Sequence, residues 1–183
     1  MSHHHKSSHC RSSCTTVQKP VIAGICGTAT LANLSDQAPL TLPVCSGVST
    51  MMPGVRLVFG NLLFQFGTVT GNPGADSGFT VCRPGSGSIY GLILFSSPAA
   101  TCPVRVDVFF VAAGTMTEQF VGSSVLSTGT SAIVPQAVQL SLNFSVSVPG
   151  RFIFRACTSG TATCMNTPLA GSQVTLTETT CCV

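Results

Sequence analysis

Apolar and polar residues alternate strictly over eleven positions, from Val138 to Val148. Every second residue of this run is Val, Leu or Phe, and the residues between them are Gln, Ser or Asn. A period of two predicts a β-strand with one buried and one exposed face, because a helix repeats about every 3.6 residues. Pro149 and Gly150 then predict a turn. The run from Arg151 to Cys157 follows, and we expect it to pair with the first strand as a hairpin.

Shorter runs of β-branched and aromatic residues predict further strands along the rest of the chain. They are Val21–Ile25, Thr28–Leu34, Val55–Phe59, Leu62–Phe66, Ile89–Phe95, Val104–Val111, Glu118–Leu126 and Gln173–Thr179. Gly60-Asn61 separates two of them, and Pro84-Gly85-Ser86-Gly87 marks a turn. No window predicts an amphipathic helix. Six to nine short strands at this spacing predict an all-β fold, a single β-sandwich of jelly-roll type with an extended N-terminal arm.

The chain divides into two predicted parts. Residues 1–18 form a polar arm that contains Cys and His, and residues 19–183 form the β-sandwich core, which ends in a Cys-Cys tail. A length of 183 residues suits one β domain plus such an arm.

Charged residues make up only 7% of the chain, against about 25% in an ordinary soluble domain. Ser, Thr and Gly take their place, and such a surface does little to repel copies of itself. This favours self-association, and the alternative is a soluble domain with a Ser/Thr-rich face. The net charge of +3 comes without a basic run, so we expect no nucleic-acid partner. No apolar run reaches the roughly 18 residues of a membrane span.

Strand edges carry few of the residues that prevent pairing with other molecules. Monomeric β-proteins protect their edges with lysines and inward charges, but both lysines here, Lys6 and Lys19, lie in or beside the arm. We therefore expect the arm or an edge strand to pair with a neighbouring subunit. The alternative is a closed sandwich whose arm pairs with nothing.

Ten cysteines indicate a disulfide framework in an oxidising environment. Four lie near the ends of the chain, where they are placed to cross-link neighbouring subunits: Cys10, Cys14, Cys181 and Cys182. Adjacent cysteines rarely bond to each other without strain, so Cys181 and Cys182 are expected to reach separate partners. The other six are expected to form core disulfides or to stay as buried thiols: Cys26, Cys45, Cys82, Cys102, Cys157 and Cys164.

The N-terminus, MSHHHKSSHCRSSC, has no apolar core region and no cleavage site of a secretory signal. We therefore expect synthesis in the cytoplasm without a signal peptide, followed by oxidation outside it. A bacterial spore surface fits, because the mother cell lyses around the finished spore.

Candidate chemistry is sparse, and we expect no catalytic residue, no metal and no cofactor. All four histidines (His3, His4, His5 and His9) lie in the arm, and their spacing to Cys10 and Cys14 is not a standard zinc pattern. The five carboxylates are spread along the chain and suggest no acid–base pair: Asp36, Asp76, Asp107, Glu118 and Glu178. We expect Asp107 at the surface or at a sheet edge. The sequence therefore predicts that the protein is not an enzyme.

The short Cys-bearing arm, the low-charge Ser/Thr/Val-rich core and the Cys-terminated end resemble the Cys-rich surface proteins of spore-forming Firmicutes. The nearest in style are the endospore appendage (Ena-type) pilus subunits. The resemblance implies a jelly-roll subunit whose arm cysteines, here Cys10 and Cys14, bond to subunits further along a fibre. This core is longer and holds more cysteines than those subunits, and the Cys181-Cys182 ending has no counterpart that we can align.

The function predicted is a structural subunit of an extracellular, disulfide-cross-linked fibre on the endospore, a homopolymer held by edge-strand association and inter-subunit disulfides. Other spore-surface proteins are possible partners. One alternative is a two-dimensional coat or exosporium lattice protein. Another is a ligand-binding jelly-roll module, which would need exposed aromatic residues. The chain has no Trp and one Tyr, Tyr90, and its eleven Phe are expected in the core.

Overall fold

The computed structural model describes residues 24–34, 38–45, 54–96, 102–124 and 135–181. The predicted arm lies outside these ranges. The strands are β1 (Gly27–Leu34), β2 (Leu40–Leu42), β3 (Val55–Arg56), β4 (Phe59–Gly67), β5 (Val69–Asn72), β6 (Gly78–Val81), β7 (Gly85–Ser96), β8 (Val104–Ala112), β9 (Glu118–Ser123), β10 (Gln136–Val146), β11 (Gly150–Thr158), β12 (Cys164–Pro168) and β13 (Gln173–Cys181). The described residues contain no helix, and so none that could cross a membrane.

Two antiparallel sheets pack face to face. The first sheet has seven strands in the order β10-β7-β13-β1-β4, with β12 also beside β7 and β2 beside β12. The second has six, in the order β5-β6-β11-β8-β9, with β3 beside β11. The eight strands β1, β6 to β11 and β13 thereby form two interleaved Greek keys, which is the jelly-roll arrangement. The predicted all-β sandwich of jelly-roll type is confirmed.

Phenylalanines fill the space between the sheets. Phe154 of β11 contacts Phe59 and Phe79 edge to face, with ring centroids 5.7 and 5.9 Å apart. Phe152, two residues earlier, contacts Phe110 and Phe144 at 5.1 and 4.7 Å. These inward side chains come from both sheets, with Phe59 and Phe144 on β4 and β10 of the first sheet and the others on β6, β8 and β11 of the second.

The predicted hairpin of β10 and β11 is wrong, since the two strands lie in different sheets. β10 pairs with β7 over its whole length, and β11 pairs with β8, β6 and β3. The Pro149 turn carries the chain across the sandwich instead of folding it back. Gly150 fits there because a Cβ would lie 2.3 Å from the Phe110 ring and 2.5 Å from the Val111 carbonyl oxygen.

Glycine positions explain two further differences from the predicted elements. Gly60 and Asn61 do not interrupt a strand, because β4 runs through both. The predicted turn at Gly85 to Gly87 is the first part of β7.

Four short strands were not predicted: β2, β5, β6 and β12. They have three to five residues each, too few for a period of two to stand out.

Candidate self-association surface

Charge is divided unequally between the two sheets. The seven strands of the first sheet contain a single charged residue, Glu178, and its side chain is fully buried. The exposed face of this sheet therefore carries no charge over the described residues. The second sheet and its loops hold the other charged side chains that the structure describes, which are Arg56, Asp76, Arg83, Arg105, Asp107, Glu118, Arg151 and Arg155.

Cross-strand register places the exposed side chains of the first sheet in rows. One row runs through Ser141, Tyr90, Thr175, Thr30 and Phe64, one residue from each of β10, β7, β13, β1 and β4. Tyr90 is 50% exposed and Phe64 is 54% exposed, while the two threonines between them are buried. The surface along this row therefore protrudes at its aromatic residues and is recessed at its threonines.

Pairs of threonine hydroxyls form the recessed part of this surface. The hydroxyl oxygens of Thr30 and Thr175 lie 2.9 Å apart, and those of Thr28 and Thr177 lie 3.0 Å apart. Thr28 also donates to the Leu176 carbonyl oxygen at 2.8 Å. These cross-strand contacts satisfy the hydroxyls within the sheet, so the threonine strip is polar without requiring water or a charged partner.

A groove of about 480 Å³ lies beside Tyr90 on the same face. Exposed Leu92 and the amide side chains of Gln139 and Gln173 line it together with Tyr90. Across the sheet, Phe64 and Phe66 contact each other edge to face at 5.7 Å. The prediction that all phenylalanines are core residues is therefore wrong, because Phe64 and also Phe120, 45% exposed, reach the surface.

The charges of the second sheet are largely paired. Arg155 Nε and Nη2 donate to the two carboxylate oxygens of Glu118 at 2.8 and 2.6 Å. This hydrogen bond raises the pKa of Arg155 although burial acts against it. Arg151 pairs with Asp76 at 3.0 Å. Arg56 donates to the Ser77 carbonyl oxygen, and burial, followed by repulsion from Arg151, lowers its pKa.

The expectation that Asp107 lies at the surface or at a sheet edge is wrong. It lies in β8, an interior strand of the second sheet, and is 2% exposed. Arg105 pairs with it at 2.8 Å and the Ser123 hydroxyl donates to it at 2.6 Å. These partners explain how a carboxylate is accommodated there, since a buried charge must be paired and hydrogen-bonded.

Glu178 points into the sandwich between two glycines. Its direct neighbours across the sheet are Gly27 on β1 and Gly87 on β7, and a Cβ at Gly85 would lie 2.1 Å from its Oε1. The Thr68 hydroxyl donates to its Oε2, while Oε1 has no hydrogen-bond partner. Burial raises the pKa of Glu178, and the Thr68 hydrogen bond and the charge of Arg83 partly offset the rise.

Two disulfides close one end of the sandwich, which we call the stapled end. Cys45 bonds to Cys157, and Cys102 bonds to Cys164. Asn166, fully buried, donates to the Cys102 sulfur. The first bond joins the segment after β2 of the first sheet to the end of β11 of the second sheet. The other bond joins the segment before β8 of the second sheet to the start of β12 of the first sheet, so each disulfide links the two sheets covalently.

The other end, which we call the terminus end, brings together the start of β1 and the end of β13. Cys181, the last residue of β13, pairs in register with Gly85. The Cys26 amide donates to the Glu178 carbonyl oxygen, and the Thr68 amide donates to the Cys26 carbonyl oxygen. The Cys82 amide donates to the Thr68 carbonyl oxygen, and Cys26 and Cys82 are both disulfide-bonded.

The start of β1 and the end of β13 therefore lie together at the terminus end. Cys10, Cys14 and Cys182, predicted to cross-link subunits, lie outside the described residues, as do the four histidines and Asp36. Over the ranges that are described, no group of three His, Cys, Asp or Glu residues is arranged to hold a metal ion.

Tyr90 stood out in the sequence as the one tyrosine, but the surface that it lies on was not predicted. The run Ile89 to Phe95 is apolar almost throughout, so alternation could not show which residues face outward. Glu178 was also missed as a buried group. Its signal was weak, a carboxylate in a β-branched strand opposite glycines in two other strands.

Comparison with known proteins supports the fold and does not identify a family. No protein-family model matches the chain, and no curated protein matches it in sequence. Among solved structures the chain is similar to an Eiger TNF from S. frugiperda, with a TM-score of 0.55, 10% identity, and coverage of 85% of this chain and 93% of that one. Murine APRIL at pH 5.0 gives a TM-score of 0.50, 10% identity, and coverage of 82% and 98%. Similarity at this identity shows a shared jelly-roll fold alone.

Proposed function

We propose that this chain is a structural subunit that assembles with copies of itself and is then locked by disulfides, and that it is not an enzyme. The observation that carries the proposal is the uncharged outer face of the first sheet. Charged residues normally keep the exposed faces of soluble monomers apart. A face with exposed Tyr90, Leu92 and Phe64 and no charge lacks that repulsion and gains free energy when it is covered.

Disulfide locking is supported by the position of the start of β1 and the end of β13, which both lie at the terminus end. We propose that Cys10, Cys14, Cys181 and Cys182 form bonds to a neighbouring subunit. Covalent links of this kind slow disassembly, which gives kinetic persistence. An extracellular fibre on an endospore, of the kind that the pilus-subunit resemblance implies, remains the assembly that we propose.

The test is negative-stain electron microscopy of the air-oxidised full-length protein. We expect regular fibres that survive boiling in detergent and weaken under reductant. Tyr90→Lys places a charge on the face at a half-exposed position, so it should abolish fibres without unfolding the subunit. Met116→Lys is the matched control, because Met116 is 97% exposed at the tip between β8 and β9.

The possible outcomes separate the proposals. Flat arrays in place of fibres would indicate the coat or exosporium lattice. Fibres that form equally well with Tyr90→Lys would show that the uncharged face is not an interface. Dispersed monomers in every sample would overturn self-assembly. Mass-spectrometric mapping of the oxidised polymer should find the terminal cysteines in bonds between subunits.

A second candidate function rests on the groove beside Tyr90. An exposed aromatic ring flanked by Gln139, Gln173 and Ser141 is a suitable surface for a neutral polar ligand such as a carbohydrate. Binding of soluble oligosaccharides by a monomeric protein, lost with Tyr90→Ala, would favour this function over assembly.

A further inference from the structure

Six strands of the described structure have one side that pairs with no other strand, and five of them are protected. β2, β3 and β5 have only three, two and four residues. β4 contains a bulge at Leu63, and the Gly74 amide donates to the Phe59 carbonyl oxygen at 2.8 Å. β9 contains a bulge at Val121 and begins with Glu118. Short length, bulges and charges are the usual means of preventing edge pairing.

β10 has none of these protections. It has eleven residues, pairs with β7 without a register shift, and contains no proline, no lysine and no other charged residue. In an antiparallel pair, backbone amides and carbonyls of alternate residues point toward the partner, so the remaining ones on β10 point outward from the sheet. Among the described residues no other strand lies along this side.

A groove keeps the side of β10 accessible. The cavity between β9 and β10 has a volume of about 380 Å³. Its lining is mixed: Phe110, Phe120, Val121, Phe144, Val146 and Val148 are apolar, and Gln119, Asn143, Ser145 and Ser147 are polar. Phe120 and Val148 are 45% and 43% exposed. β9 therefore does not cover the edge, and a second molecule that pairs there would also bury apolar surface.

We infer that β10 pairs antiparallel with β10 of a second copy across a two-fold axis. Such a contact uses the same residues on both molecules, so identical strands are complementary by symmetry. The exposed side chains of β10 are Gln139, Ser141, Asn143 and Ser145. All four are uncharged and can donate and accept hydrogen bonds, so two copies meet without like charges opposite each other. The two first sheets then form one continuous sheet, and the two grooves face each other.

This inference rests on the proposed self-assembly and assigns it a second interface. The uncharged face and the β10 edge point in perpendicular directions. A subunit with both can bind one neighbour through its face and another through its edge, which extends an assembly beyond a pair.

The test uses the full-length Tyr90→Lys protein, in which the face contact is disabled. We expect a dimer by analytical ultracentrifugation rather than a monomer. Hydrogen exchange should show slow amides at alternate residues of β10 beyond those that already pair with β7. Adding Ser141→Lys and Asn143→Lys, which brings four lysines together near the two-fold axis, should convert the dimer to a monomer and make those amides exchange rapidly. Tyr90→Lys with Met116→Lys should stay dimeric.

A Tyr90→Lys protein that is monomeric with rapidly exchanging outward amides on β10 would overturn the inference, and the proposed function would stand if the wild-type protein still assembles. Wild-type protein that stays monomeric under all conditions would overturn both.

Discussion

At the scale of single residues, Glu178 is an ionisable group that is fully buried. It is a carboxylate inside a β-sandwich, with one hydroxyl donor and one oxygen without a partner. Because burial raises its pKa in the folded state, the folded protein binds a proton there more readily than the unfolded chain does. Protonation of Glu178 therefore stabilises the fold. This stabilisation is complete below the usual value of 4.5 and is lost as the pH rises through the raised pKa.

Glu178→Gln should remove this pH dependence, since a neutral amide has nearly the same shape and does not ionise. We expect the free energy of unfolding of the wild-type protein to fall as the pH rises from about 4.5 toward neutrality. The variant should be flatter over the same range and at least as stable at neutral pH. Urea denaturation from pH 4 to 8 measures this. Asp76→Asn, at an 82% exposed side chain, is the control and should follow the wild-type profile.

Parallel profiles for Glu178→Gln and the wild type would show that Glu178 does not titrate differently in the folded protein. At this scale the sequence predicted that cysteines form a disulfide framework. It did not predict that Glu178 and Asp107 are buried. Both depend on residues of other strands that come together only in the folded sheet, such as Gly27 beside Glu178 and Ser123 beside Asp107.

At the scale of strands, β7 and β13 approach each other closely at glycines. A Cβ at Gly87 would lie 2.0 Å from the Thr177 carbonyl oxygen, and one at Gly91 would lie 2.3 Å from that of Gln173. The obstructing atoms belong to the backbone and cannot rotate away. The two central strands of the first sheet therefore depend on the absence of side chains at these positions.

Gly87→Ala should consequently destabilise the protein by about 1–3 kcal/mol, the usual cost of overpacking. Ser88→Ala, at the next residue on the outward side, is the matched control and should change the stability little. Thermal unfolding followed by circular dichroism measures both. Equal melting temperatures for the two variants would contradict the close approach of the strands.

Disulfides at the stapled end connect segments that are far apart in sequence. Cys102 and Cys164 are separated by 62 positions. Replacing both with alanine should lower the free energy of unfolding by about 2–5 kcal/mol, chiefly because the unfolded chain regains conformational freedom. Chemical denaturation of the double variant beside the wild type tests this. No change in the denaturation midpoint would show that the bond does not restrain the unfolded chain.

Strong local periodicity made some elements predictable. Apolar and polar residues alternate without interruption from Val138 to Val146 in β10, and Phe152, Phe154 and Ala156 lie on one face of β11. The existence of both strands and these inward residues therefore followed from the sequence. Their pairing did not, because a Pro-Gly turn is compatible with a hairpin and with a crossing between sheets. In the crossing, Gly150 lies close to the Phe110 ring, a contact with a distant residue that no local pattern reveals.

At the scale of the whole molecule, the low charge content of the sequence becomes a division between two surfaces. Composition predicted a weakly charged protein. Apart from buried Glu178, the charged side chains of the described residues belong to the second sheet and its loops. Composition could not predict this division, because assigning strands to sheets requires the strand order. The first sheet is thereby left as a broad neutral face.

Association through a neutral face should be insensitive to salt. Raising the NaCl concentration from about 0.05 to 1 M shortens the screening length from more than 10 Å to about 3 Å. Assemblies held by charge pairs would weaken, whereas those held by the first sheet should persist or strengthen. Light scattering of the wild-type protein across this range measures the effect. Dissolution at high salt would indicate that the ion pairs of the second sheet hold the assembly instead.

The first strand that the structure describes, β1, has the last described strand, β13, as a neighbour, since Gly27 pairs with Glu178. Nearly the whole chain must therefore leave the ribosome before β1 can take its place between β13 and β4. Contacts between residues so distant in sequence make folding slow and leave the earlier strands exposed in the meantime. The chain thus completes its fold only after most of it has been synthesised, when the neutral face and β1 become ordered together.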